Sequence, residues 1–113
     1  MSDVDYILNV LSKAKSKDKI NSRCNTVSYS IPASAIDMDI EEGIFKENCR
    51  QNFPVLAEDK EEHKDELDSI HGENFPKKEN YKKVTLLTNY YIPLNEESDT
   101  KKENYYYVEV TFE

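Results

Sequence analysis

Val84-Thr85-Leu86-Leu87-Thr88-Asn89-Tyr90-Tyr91-Ile92-Pro93 and Tyr105-Tyr106-Tyr107-Val108-Glu109-Val110-Thr111-Phe112 are two runs rich in β-branched and aromatic residues. Between them lies the polar stretch Asn95 to Glu103, so the segment reads as two strands and a turn. Strand side chains alternate faces with a period of two. Folding the segment antiparallel about Asp99, with Ile92 opposite Tyr106, gathers Leu86, Thr88, Tyr90, Ile92, Tyr106, Val108, Val110 and Phe112 on one face. That face is the expected core. The other face carries Thr85, Leu87, Asn89, Glu109 and Thr111 at one end, and Tyr91, Pro93, Tyr105 and Tyr107 at the other.

Working outward, the expected partner of this hairpin is a helix at the start of the chain. Ser2 is placed to cap it, Asp5 holds the position of the reciprocal capping-box acid, and Val4, Ile7, Leu8, Val10, Leu11 and Ala14 recur at helical spacing. Lys13 to Lys19 then place cations at the negative end of the helix dipole. Further on, Val27, Tyr29 and Ile31 alternate with Thr26, Ser28 and Ser30 as in a half-buried strand that Pro32 ends. The spacing of Ile36, Ile40 and Ile44 with Phe45 predicts a short helix over Ser34 to Asn48, weakened by Gly43. Phe53-Pro54-Val55-Leu56 reads as an extended apolar connector.

Glu58 to Ile70 is almost entirely charged. Leu67 and Ile70 are its strong apolar residues, so it is expected either as an acidic helix docked at one end or as a mobile excursion spanning residues 57–72. His71-Gly72-Glu73-Asn74-Phe75-Pro76 is expected to break it. The fold class is therefore α+β: a small antiparallel sheet dominated by a long C-terminal β-hairpin, packed against an N-terminal amphipathic helix plus one or two further helices. At 113 residues the chain is expected to form a single domain, residues 1–113, because a second core would be too small to stand alone.

The charge is unevenly spread. The chain carries −8 overall: residues 1–35 carry +2, residues 36–75 carry −9 and residues 76–113 carry −1. Such an acidic segment repels nucleic acid and attracts cationic surfaces, leaving Lys13, Lys15, Lys17, Lys19 and Arg23 as the basic strip. No apolar run approaches the roughly 18 residues of a membrane-spanning helix. With no apolar leader segment either, a soluble cytoplasmic protein with Cys24 and Cys49 reduced is expected over one with a Cys24–Cys49 disulfide. Both cysteines read as small core residues.

Motifs for specific chemistry are sparse. Asp37-Met38-Asp39-Ile40-Glu41-Glu42-Gly43 spaces carboxylates like a calcium loop, but the sixth and twelfth positions hold Glu42 and Asn48 instead of Gly and Glu. His63, His71, Cys24 and Cys49 do not form the close ligand pairs of a structural zinc site. His63 stands among Glu61, Glu62, Asp65 and Glu66, where acid/base chemistry would need apolar walls that this segment lacks, so an exposed histidine is expected. With two glycines in the chain, phosphate-cradling loops are excluded. No cofactor, metal or catalytic residue is assigned.

Two surface features remain. One is an acidic belt: Glu58, Asp59, Glu61, Glu62, Asp65, Glu66 and Asp68, continued by Asp37, Asp39, Glu41 and Glu42. The other is the patch of Tyr91, Tyr105 and Tyr107, which serves either as an interface hot spot or as a second sheet face covered by the acidic helix. Together they point to a protein partner with a basic surface, such as a nuclease or another nucleic-acid-binding protein. In size and charge the chain resembles the small acidic proteins that phages and archaeal viruses direct against host defence, anti-CRISPR proteins and other DNA mimics among them. That resemblance implies a non-enzymatic viral inhibitor in the host cytoplasm, whose carboxylates replace phosphates on the target. Three alternatives stand beside it. One is an immunity protein against a nuclease toxin. Another is a small nucleotide-binding protein or enzyme of defence or counter-defence that stacks a base on the tyrosines and meets phosphate with Lys82, Lys83, Lys101 or Lys102. The last is a subunit that assembles through the hairpin edge.

Overall fold

The Ser2 hydroxyl accepts a hydrogen bond from the Asp5 backbone N–H (3.1 Å), and the Asp5 carboxylate accepts one from the Ser2 N–H (3.1 Å). This capping box starts helix α1, Asp3–Lys13. The computed structural model describes residues 2–75, 81–92 and 104–113. In it α1 buries Val4, Tyr6, Ile7, Leu8, Val10 and Leu11. The helix ends at Ala14, and Lys15 N–H donates to Ala35 O (2.8 Å).

The fold is α+β, with a five-stranded antiparallel sheet in the order β1-β2-β5-β4-β3. The strands are β1 Asp18–Arg23, β2 Thr26–Pro32, β3 Gln51–Pro54, β4 Val84–Tyr91 and β5 Tyr105–Phe112. β1 and β2 are joined by a two-residue turn, Cys24-Asn25, with φ of 55° and 63°. Two consecutive left-handed residues give the tight hairpin turn whose twist matches that of the strands. Cys24 is therefore an exposed turn residue, and Cys49 is exposed as well. The expectation that both are core residues does not hold; neither forms a disulfide.

β4 and β5 pair with Tyr90 opposite Tyr106 and Leu86 opposite Val110. The expected pairing of Ile92 with Tyr106 is thus displaced by two residues. A two-residue shift leaves every side chain on its expected face, and Val84, Leu86, Thr88, Val108, Val110 and Phe112 are all buried. The turn about Asp99 and Pro93 lie outside the described residues. The hairpin does not form the sheet edge: β5 lies between β2 and β4, and β3 covers the far side of β4. Over residues 85–88 the hairpin therefore has no free edge.

The expected helix over Ser34 to Asn48 does not form. A 3-10 turn at Ala33–Ala35 and a single turn in which Glu41 O accepts from Ile44 and Phe45 N–H take its place. Side chains from elsewhere take the backbone groups that a helix would use. Tyr6 Oη donates to Asp39 O (2.7 Å) and accepts from Glu41 N–H (2.7 Å). Gln51 Nε2 donates to Gly43 O and Ile44 O, and Thr88 Oγ1 donates to Ile44 O. Ile44 and Phe45 are still buried, so the apolar spacing reports burial without helix.

Two further helices cross the same sheet face as α1: α2, Ala57–Glu62, and α3, Lys64–Asn74. They are docked at more than one end, since Asp59, Leu67 and His71 are all buried. The break expected over residues 71–76 falls at the C-cap Phe75, with His71 still inside α3. His71 packs against Phe75, Tyr81 and Phe112 with ring centroids 5.3, 5.2 and 4.9 Å away, and Phe75 N–H donates to His71 O. Helices α1 and α3 and the Val84-to-Phe112 sheet face share one apolar cluster, to which α2 adds no side chain. Among the described residues no helix is long and apolar enough to cross a membrane.

Candidate functional site

The sheet's second face is the first candidate surface. Pro32, Tyr105 and Tyr91 form one cross-strand row, and Ser30, Tyr107 and Asn89 form the next. None of them belongs to the apolar cluster, and among the described residues no helix covers this face. Tyr91 is 57% exposed and Tyr105 37% exposed. Tyr107 is half-buried, and its hydroxyl donates to Glu109 Oε2 (3.2 Å). The three tyrosines therefore share one face, with Tyr91 and Tyr105 open and Tyr107 partly covered. Lys82 and Lys83 stand before the opposite end of β4, roughly 25 Å away at about 3.3 Å per residue. They cannot share a ligand with Tyr91, and Lys101 and Lys102 lie outside the described residues.

The acidic helices form the second surface. They pack on the core face, where Lys60 Nζ donates to Tyr81 O (2.7 Å) and the Tyr81 hydroxyl donates to Asp68 Oδ1. Burial, reinforced by the hydrogen bond and charge of Asp68, pushes the Tyr81 phenol well up. Tyr81 precedes β4, and Phe112 beside His71 ends β5. Acids and tyrosines therefore occupy opposite faces and opposite ends of the sheet. The structure does not bring the two groups into one contiguous patch.

Within the acidic group the side chains divide by role. Glu58, Glu61, Glu62 and Asp65 are exposed. Their spacing of three, four and seven residues puts them along one side of a helix. The break at His63 scarcely interrupts this line, because His63 N–H donates to Asp59 O and Leu67 N–H to His63 O, continuing the helical pattern. Asp59, in contrast, is buried and accepts from Ser2 Oγ (2.9 Å). Asp68 is engaged by Tyr81, and Glu66 turns toward His63.

His63 is not the exposed histidine expected from its neighbours. Its side chain is 20% exposed, Nε2 bonds Asp5 Oδ1, and Nδ1 lies 3.2 Å from Glu66 Oε2. Glu66 Oε2 is otherwise buried without a partner. Desolvation alone would lower the His63 pKa, but the Asp5 hydrogen bond with the charges of Asp5 and Glu66 outweighs it and raises the value. Asp5 is held below the usual carboxylate value, first by the His63 hydrogen bond and then by the Ser2 N–H. A histidine between two carboxylates thus clamps α1 to the α2–α3 junction. Sequence reasoning missed this site because Asp5 and His63 are 58 residues apart.

Beside the clamp, α1, α3 and β2 enclose a cleft of about 190 Å³ lined by Leu8, Leu11, Lys17, Tyr29, Glu66 and Ile70, among others. This is smaller than the roughly 300–1,000 Å³ of sites that hold a drug-sized ligand. Burial raises the Tyr29 phenol against the opposing hydrogen bond from Asn74. The chain matches no protein-family model, no curated protein and no solved structure.

Proposed function

We propose that this chain is a small non-enzymatic inhibitor that lays its acidic helix pair on a basic, nucleic-acid-binding surface of a partner protein. The observation that carries the proposal is the row Glu58, Glu61, Glu62 and Asp65: four exposed carboxylates at helical spacing on a platform anchored by Leu67 and His71. None of the four ion-pairs with a described lysine or arginine. Lys60, one of the two lysines of this segment, is turned inward over the Tyr81 ring (5.0 Å to the centroid). An array of unpaired carboxylates held in place meets the guanidinium and ammonium groups of a phosphate-binding channel with charge-assisted hydrogen bonds. Because the helices already fix the backbone, the ordering cost on docking is confined to the side chains.

Action as a viral anti-defence protein and action as an immunity protein against a nuclease share this physics and differ in the target. The tyrosine face is a separate surface in this scheme, free to hold a second partner or a second site on the same one. The test is capture of partners on the immobilised protein, followed by elution with salt or with competing DNA or RNA. A nucleic-acid-binding protein that both agents release supports the proposal. A partner released by neither, or partners without a basic surface, refutes it.

A further inference from the structure

We propose that Asp5, Glu62 and His63 form a binding site for one divalent transition-metal ion of the zinc type, bridging α1 to the α2–α3 junction. One ligand atom from each residue lies within 4.8 Å of the others. Ligands at about 2.0–2.2 Å from a tetrahedral zinc sit roughly 3.4 Å apart. Closing the triangle takes a rotation of the exposed Glu62 side chain and the opening of the direct Asp5–His63 hydrogen bond, so that the ion sits between Oδ1 and Nε2. One imidazole nitrogen and two carboxylates, with water in the fourth position, is a donor set that zinc accepts.

The surroundings are those that orient metal ligands. Asp5 Oδ2 is occupied by the Ser2 N–H (3.1 Å), which leaves Oδ1 directed at His63 Nε2. Glu66 Oε2 waits 3.2 Å from Nδ1, the other ring nitrogen, with no other partner. A carboxylate on the far nitrogen of a metal-bound histidine fixes its tautomer and raises its basicity, and here a small ring rotation completes that bond. The charges also balance: two carboxylates and a neutral imidazole around one divalent ion make a neutral site, and any proton held on Nε2 passes to solvent as the metal takes its place. This places a metal where sequence spacing gave no hint of one, since Asp5 is far from Glu62 and His63 in the chain.

The experiment is calorimetric titration of tag-free, chelator-treated protein with Zn²⁺, repeated in two buffers of different ionisation enthalpy, with Co²⁺ absorption as the spectroscopic readout. The expected result is 1:1 binding, a tetrahedral Co²⁺ spectrum, and a saturable rise in Tm. Glu62→Gln should weaken Zn²⁺ at least tenfold without altering the metal-free Tm, because its side chain is exposed. Glu66→Gln should weaken it by about 10-fold to 100-fold. Absence of saturable 1:1 binding, or binding that Glu62→Gln leaves unchanged, overturns the proposal and leaves the trio as a helix clamp alone.

Discussion

Truncation of Leu67 to alanine tests whether the acidic helices are a fixed platform. Leu67 is fully buried, the one strongly apolar side chain of α3 with no exposed surface. The substitution removes three carbons, or about 2.5 kcal/mol of transfer free energy at about 0.8 kcal/mol each. The cavity left behind adds to this, and the total should fall at about 3–4 kcal/mol, within the range of roughly 2–5 for buried Leu→Ala. A domain of this size has about 5–15 kcal/mol of stability in all. At about 3–6 °C per kcal/mol, Tm should fall by roughly 10–20 °C. Leu56→Ala, at a residue 58% exposed, is the control and should cost about 0.5 kcal/mol or less. Urea and thermal denaturation followed by circular dichroism read both variants. A loss below about 1 kcal/mol for Leu67→Ala would mean that α3 is not docked, and the preorganised acidic row would go with it.

The His63 clamp makes stability depend on pH. Its raised value means that its contribution is complete below the unfolded value near 6.5 and is lost as pH rises through the folded value, whereas the lowered Asp5 value means that its own contribution is lost as pH falls through it. In chelator, the stability difference between wild type and His63→Gln should therefore be largest near pH 5 and shrink toward pH 9; a difference that grows with pH contradicts the clamp. Tyr81→Phe removes the donor to Asp68 and should cost about 1.5 kcal/mol by urea denaturation, a typical value for a hydrogen bond to a charged group. Cys24→Asn places a residue favoured in left-handed turns at φ 55° and should add about 0.5 kcal/mol. Native wild type should expose two thiols to a disulfide reagent without denaturant, and this variant one.

What could be read from the sequence follows from how local each signal is. Helix α1 was legible because its capping box and apolar spacing lie within a few residues of one another. The faces of β4 and β5 were legible because alternation fixes parity, but parity does not distinguish Ile92 from Tyr90 as the partner of Tyr106. β1, Asp18–Arg23, has no alternating apolar face, and Ile20 is 57% exposed, so an edge strand of this composition carries no hydrophobic signal. The isoleucines at 36, 40 and 44 promised a helix that Tyr6, Gln51 and Thr88 prevent by taking its backbone groups. β3 carried an apolar signal at Phe53, but its pairing with Leu86 is non-local.

The candidate site was legible as composition and not as geometry. Tyr91, Tyr105 and Tyr107 do share one open face, as alternation requires. The acids also form an exposed row, yet Asp59 is buried and Asp68 and Glu66 are engaged within the protein, so Glu58, Glu61 and Asp65 remain for a partner, with Glu62 shared with the proposed metal site. That the two surfaces face apart depends on which side of the sheet the helices choose, and this is decided by contacts such as His71 with Phe112 that no local pattern encodes.

The most direct measurement compares partner capture by wild type with capture by the triple variant Glu58→Lys/Glu61→Lys/Asp65→Lys, which leaves Asp5, Glu62 and His63 intact, and with Tyr91→Ala/Tyr105→Ala, all first shown to keep the wild-type Tm. If the acidic row is the docking surface, the charge reversal abolishes capture of a basic, nucleic-acid-binding partner while the tyrosine variant retains most of it. If the charge-reversed protein captures that partner as well as wild type does, the carboxylates are solvated surface and the proposed inhibition by charge mimicry is wrong.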